Sequence, residues 1–181
     1  MINESYEWKQ AIKRNNAYVR RYGKAALIDE DGYLLDRIQI RIVTNAFFVR
    51  RLIETPNVAT ALMKEDVPVI AHPWTGSNVD YMNCHHLDQK YQINNPTAKR
   101  LRGGVLCDQI IHSFVWTWIF DESGENLRGF IVSSDRKKHS EVYVVDMDDW
   151  LGYTQSTANS SPTHMKATRN METGQWVFTS E

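Results

Sequence analysis

The run IIHSFVWTWIF (110–120), with LRGFIVSS (127–134) and EVYVVDM (141–147) after it, decides how this chain folds. Each run is dense in β-branched and aromatic residues. The polar links between them, Asp121 to Glu125 and Asp135 to His139, are short. Short polar links between β-rich runs make an antiparallel meander, because neighbouring antiparallel strands need only a tight turn. In the first run alternation sets His112, Phe114, Trp116, Trp118 and Phe120 on one face. Ile111, Ser113, Val115, Thr117 and Ile119 take the other. Both faces are largely apolar, so this strand is expected to be central and covered by helices on at least one side.

Those helices are expected upstream. Residues 4–22 carry an imperfect apolar stripe of Tyr6, Trp8, Ile12, Tyr18 and Val19, with Lys9, Lys13, Arg14, Arg20 and Arg21 on the wet side and Gly23 as the stop. From Tyr33 to Glu54, Leu35, Ile38, Ile42, Ala46, Val49 and Ile53 recur at helical steps. A hairpin over Ala25–Asp29 and Tyr33–Val43 is the competing reading, since Ile38, Ile40 and Ile42 also alternate. The stripe outlasts a typical strand, which favours helix, and Pro56 closes it. Asn57 to Lys64 reads as a short helix. Between Glu65 and Gly104 the prolines and asparagines predict loops, broken by a short helix near His85–Tyr91. Long loops of this kind are often functional. The fold class is therefore α+β, with N-terminal helices packed on a C-terminal antiparallel β-meander. Residues 1–153 form one domain, and 154–181 form a Ser/Thr/Asn-rich tail with a final edge strand at Gln175–Thr179.

Composition narrows the function classes. Lys plus Arg number 21 and Asp plus Glu 22, so the chain lacks the basic excess that usually grips duplex DNA through its phosphates. Two cysteines, Cys84 and Cys107, do not make a secreted disulfide framework. No basic start or apolar leader is seen, and Ile110–Phe120 is too short to span a bilayer. A cytoplasmic location without membrane association is expected.

Four sets of residues carry chemistry. His85, His86 and Asp88, with His72, Asp80 and Cys84 nearby, are the types that bind transition metals. Adjacent histidines diverge on a helix or a strand, so only one of the pair joins a shared site. Asp108 and His112, four residues apart, share a face on a helical turn, where a carboxylate can orient an imidazole for general-base work. Ser113 and Cys107 adjoin them in sequence and so point elsewhere. Asp121 with Asp135-Arg136-Lys137 imitates a nuclease metal site. The strand between the two acids spans roughly 25 Å and places them at opposite ends of the sheet. Arg50, Arg51 and Arg102, with Trp116 and Trp118, are the candidates for holding a ligand by cation and stacked ring. Leu101-Arg102-Gly103-Gly104 reads as a turn.

None of these sets completes a catalytic constellation. The reading that follows is a non-enzymatic binding protein, taking a protein partner or a small-molecule ligand, free to self-associate and needing no cofactor. A metal-dependent hydrolase or nuclease built from the 72–112 region is the first alternative. A single-stranded nucleic-acid binder is the second.

Overall fold

Helix α1 (Tyr6–Tyr22) buries a stripe of Lys9, Ile12, Asn16 and Val19, positions three and four apart on one face. The structure, a computed structural model, describes residues 5–24, 33–55, 57–174 and 176–180. Helix α2 (Tyr33–Glu54) buries Ile38, Ile42, Asn45, Ala46, Val49 and Leu52 at the same spacing, so the helical reading of this stretch holds. Of the competing hairpin, Ala25–Asp29 lies outside the described residues. After the short α3 (Thr60–Met63) comes β1 (Asp66–Pro73), then α4 (Leu87–Lys90), β2 (Thr97–Arg102) and α5 (Gly103–Ile111). The meander follows as β3 (Ser113–Phe120), β4 (Leu127–Ser134) and β5 (Glu141–Asp146), and then α6 (Met147–Asn159) and a hairpin of β6 (Met165–Arg169) and β7 (Trp176–Ser180). The protein is α+β. Its main sheet has five strands in the order β2-β1-β5-β4-β3, paired antiparallel throughout.

Two strands emerge where loops were expected. β1 contains Pro68 and Pro73, which cannot donate to a ladder and so argue against a strand. The register explains them. β1 pairs with β2 over Asp66–Ala71 and with β5 over Ile70–Pro73, so each proline stands where the strand has a partner on one side only. β2 then delivers Gly103 directly into α5, which corrects the expected turn there. A β-carbon at Gly103 would lie 2.1 Å from the ring of Tyr153 on α6, so only glycine lets these two helices approach.

The meander is present, with two corrections. Ile110 and Ile111 end α5, and His112 caps it, so His112 is not on a strand face with Phe114 and Trp116. β3 is also an edge strand rather than the centre, a place taken by β5. Its two apolar faces reflect cover on both sides. Trp116, Trp118 and Phe120 pack on the helical core, while Phe114 and Val115 pack beneath the 74–91 segment.

α5 and α6 lie against the sheet, and α1 and α2 lie against them. This helical layer is locked by amides. Asn45 on α2 donates to Asn16 on α1 (2.9 Å), Thr154 on α6 donates to the same oxygen (3.1 Å), and Asn16 in turn donates to Gln155 (3.2 Å). Lys9, assigned to the wet side by its charge, is 8 % exposed. Its ammonium donates to the carbonyls of Asn57 and Ser160, tying α1 to the ends of α2 and α6. Burial lowers its pKa. Tyr6, counted in the apolar stripe, is exposed instead. α6 runs across the expected boundary at 153 and buries Thr154, Thr157 and Ala158, so the helix continues into the Ser/Thr-rich stretch. Among the described residues no helix is long and apolar enough to cross a membrane.

Two measurements check this packing. Gly103→Ala should destabilise the chain by about 1–3 kcal/mol through overpacking on Tyr153. Gly152→Ala, also helical but with nothing within 4 Å of the added carbon, should stabilise it by up to about 1 kcal/mol. Urea midpoints decide both. The second check concerns Glu141, which accepts hydrogen bonds from Lys99 and Tyr143. Burial opposes its ionisation, yet those bonds and nearby lysine charge hold its pKa below the ordinary value. A depressed carboxylate pKa adds stability above the unfolded-state value, and that stability is lost as pH falls through the folded one. Glu141→Gln should therefore cost up to about 1 kcal/mol at neutral pH, and the difference from wild type should vanish on acidification below the carboxylate range.

Candidate functional site

The helices cover one face of the sheet. On the other, β1, β5 and β4 present Ile70, Val142, Val144 and Ile131, an unusual set for a face that none of the long helices covers, since a wet antiparallel face is normally polar. Half of this back face is covered by residues 74–95. Val79 and Tyr91 are buried there against Val115 and Val142, with Trp74 and Leu87 packed around them. The cover is well tied down. Tyr91 donates its hydroxyl hydrogen to the Lys138 carbonyl (2.8 Å), and its burial pushes the phenol up to about 12. The Val79 amide donates to His139 Nε2 (3.1 Å), and the Trp74 indole to the Ser77 carbonyl (2.6 Å). Asp80 accepts from the Met82 amide and from the side chain of Asn83, which folds the turn that follows.

The other half of the back face is open. Pro68, Ile70, Ala98, Ile119, Gly129 and Val144 floor a shallow cavity of about 520 Å³, and Ile70 is 44 % exposed in it. The registers explain this grouping. Ala98, Ile70, Val144 and Ile131 lie in one row across four strands, and Arg100–Pro68 and Asp146–Gly129–Ile119 lie in the next. A β-carbon at Gly129 would fall 2.2 Å from the Val145 carbonyl oxygen, so glycine is required for the ladder to close there. Charges of both signs stand on the rim: Arg100 and Arg128, with Asp146 and Asp149 at the start of α6. Asp146 spends its carboxylate capping α6, accepting from the amides of Asp148 and Asp149. Burial and the neighbouring acids raise the pKa of Asp149, and Arg100 opposes that rise.

The residues singled out by chemistry go elsewhere. Asp108 is held by Arg50 (3.2 Å) rather than by His112. His112, exposed at the end of α5, opens onto a cleft of about 440 Å³ shared with Asp108, Gln109 and Asp135. Asp135 is held by Lys138. The rings of His85 and His86 lie 3.9 Å apart, with Asp88 on α4 beyond them. Among the described residues no group of three or more His, Cys, Asp or Glu side chains is placed to hold a metal ion. Arg50 and Arg51 both pair with Glu54, and Arg102 pairs with Asp66. Trp116 stacks on Phe130 at 4.7 Å and 7°, and Trp118 stands edge-on to Trp116, so both rings belong to the packed core. Asp121 sits in the β3–β4 turn, where Asn126 and Ser123 lower its pKa to about 2. Asp135 lies in the next turn, at the far end of β4.

The open face was missed because β2 reads as charged and β1 as proline-broken. A signal was present all the same. β1 and β5 carry apolar residues at consecutive positions, Val69-Ile70 and Val142-Tyr143-Val144-Val145, which requires cover on both faces.

No family model, no curated protein and no solved structure matches this chain.

At protein concentrations low enough for single chains, Ile70→Glu should leave the urea-unfolding free energy within about 0.5 kcal/mol of wild type, because the side chain already meets water. Phe130→Ala, on the covered side of β4, should cost about 3–5 kcal/mol.

Proposed function

We propose that this protein is a non-catalytic interaction module that receives a polypeptide segment on the open half of its back sheet face. The observation that carries this reading is the composition of that face. Its apolar floor is ringed by charges of both signs, the anatomy of a protein interface rather than of a pocket selective for one ion. The cavity is shallow, and its floor is a flat ladder of small and branched side chains, which suits an extended or β-structured partner. Catalysis has less support. The carboxylates of the His112 cleft are already held by Arg50 and Lys138, so neither stands ready to orient the imidazole as a general base. Capture of nucleic acid has less support as well, because Arg50, Arg51, Arg102 and Lys99 all pair with acids. Cys84 and Cys107 are unpaired, which fits a reducing compartment such as the cytoplasm.

Photo-crosslinking tests the reading. With p-benzoylphenylalanine replacing Ile70, irradiation of cells producing the chain should give a discrete polypeptide adduct, lost when Val144→Glu is added. The same probe at Arg14, exposed on α1, should give none. An empty lane at position 70 would defeat the proposal.

A further inference from the structure

The β6–β7 hairpin is the other unsatisfied surface of this molecule. Its strands pair with each other, Met165 to Ser180 through Arg169 to Trp176, and the hairpin meets the body at its root. There the Ser180 hydroxyl donates to the Val58 carbonyl (2.7 Å) and the Ser180 amide to the Thr60 hydroxyl (2.8 Å). Beyond the root every described residue of both strands is exposed. The register makes the hairpin two-faced. Met165, Ala167, Phe178 and Trp176 share one face, with Arg169 at its far end, while Lys166, Thr168, Val177 and Thr179 share the other. A lone two-stranded hairpin is marginal in water. This one holds Trp176 at 59 % exposure, Met165 at 57 % and Phe178 at 43 %.

Resting on the docking reading above, we propose that the occupant of the open sheet face is the β6–β7 hairpin of a second copy of this chain, the two copies exchanging arms about a twofold axis. Three arguments select this occupant. The hairpin offers an apolar face left exposed by the described residues, and the groove offers an apolar floor in the same condition. Charge can set the arm's register, because Arg169 stands beside Trp176 on the docking face and Asp149 stands on the rim that it shares with Arg100 and Arg128. The area is that of a small interface. Aromatic side chains bury roughly 150–250 Å² each, and with Trp176 at 59 % and Phe178 at 43 % exposure about half of that is still to be gained, so the four rings of two exchanged arms supply about 300–500 Å². Met165, at 57 % exposure, and the matching sheet surface bring the total to roughly 1,000–1,400 Å², the lower end for a specific interface. Because the exchange is about a twofold axis, it closes the assembly at two copies.

Light scattering coupled to size exclusion, on the purified full chain at tens of micromolar, should give twice the 21.0 kDa of one chain. Ile70→Glu blocks the groove and leaves the arm, whereas Trp176→Ser with Phe178→Ser blunts the arm and leaves the groove. Each variant alone should run as a monomer. Their equimolar mixture, which retains one sound contact, should recover a mixed dimer at least tenfold weaker than wild type. The crosslink from position 70 should map to residues 165–180 of another copy. A wild-type monomer at these concentrations, or a dimer that survives either variant, overturns the arm exchange. An adduct with a different polypeptide, or within the same chain, overturns it too and leaves the docking face standing. The absence of any adduct removes both.

Discussion

A sheet has two faces, and the helices of this chain cover one of them. α5 and α6 lie on the front of the five strands, with α1 and α2 stacked behind. The only described segment that reaches the back is 74–95, and it covers half. Burial of apolar surface is the main favourable term in folding, at about 25 cal/mol for each Å² removed from water. A back face floored by Ile70, Val144 and Ile119 is therefore a standing source of free energy that this part of the chain leaves uncollected. The location of the candidate site follows from that shortfall, and so does its chemistry. The site was built as sheet and left bare, so its floor has the side chains of a core and its charges stand only on the rim.

The helical layer shows the opposite economy. Asn16 and Asn45 are buried where leucines would pack, and they persist because Asn16 finds partners on α2 and α6 and Asn45 finds both of its partners, Asn15 and Asn16, on α1. A buried amide that loses its partner costs more than the bond contributed, typically 1–3 kcal/mol. The network therefore penalises any slip of α1 along α2 or α6, and it sets their register more sharply than interchangeable aliphatic contacts could. Tyr153 against Gly103 does the same by shape, holding α6 and α5 at one distance. The sheet thus has a rigid backing, and its open face keeps a fixed form for whatever meets it.

Much of this was legible in the residues, and the failures have physical causes. The meander was legible in its β-rich runs, and α2 prevailed over the competing hairpin because its stripe outlasts a typical strand. β1 hid behind Pro68 and Pro73, which read as breakers until the ladder shows each with one neighbour missing. β3 looked central because apolar residues on both faces mean cover on both faces, and a loop can provide that as well as a strand. Lys9 was misplaced because charge alone says nothing of backbone carbonyls waiting at distant helix ends. The candidate site was the least legible part. Its residues come one or two at a time from β1, β2, β3, β4 and β5, and nothing local marks Ala98 or Ile119 as neighbours of Ile70 across a sheet.

The two edges of the sheet bear on how such a molecule associates. β2 carries Lys99, Arg100 and Arg102 along an outer edge, and charged edge strands resist pairing with a stranger. β3, at the other edge, has no charge at all in eight residues, and by composition it should invite one. Its geometry works against that invitation. Register shifts interrupt its pairing with β4 between Ser113 and Val115 and again between Ile119 and Phe120, near both ends of the strand. Bulges bend and twist a strand, which shortens the flat stretch of backbone a partner could read. With one edge guarded by charge and the other by irregularity, growth of the sheet sideways is disfavoured at both ends. The remaining apolar surface lies on the face, where side chains rather than backbone make the contact. Association through the face is then the route the rest of the architecture leaves open, and it is the route that the proposed arm exchange would use.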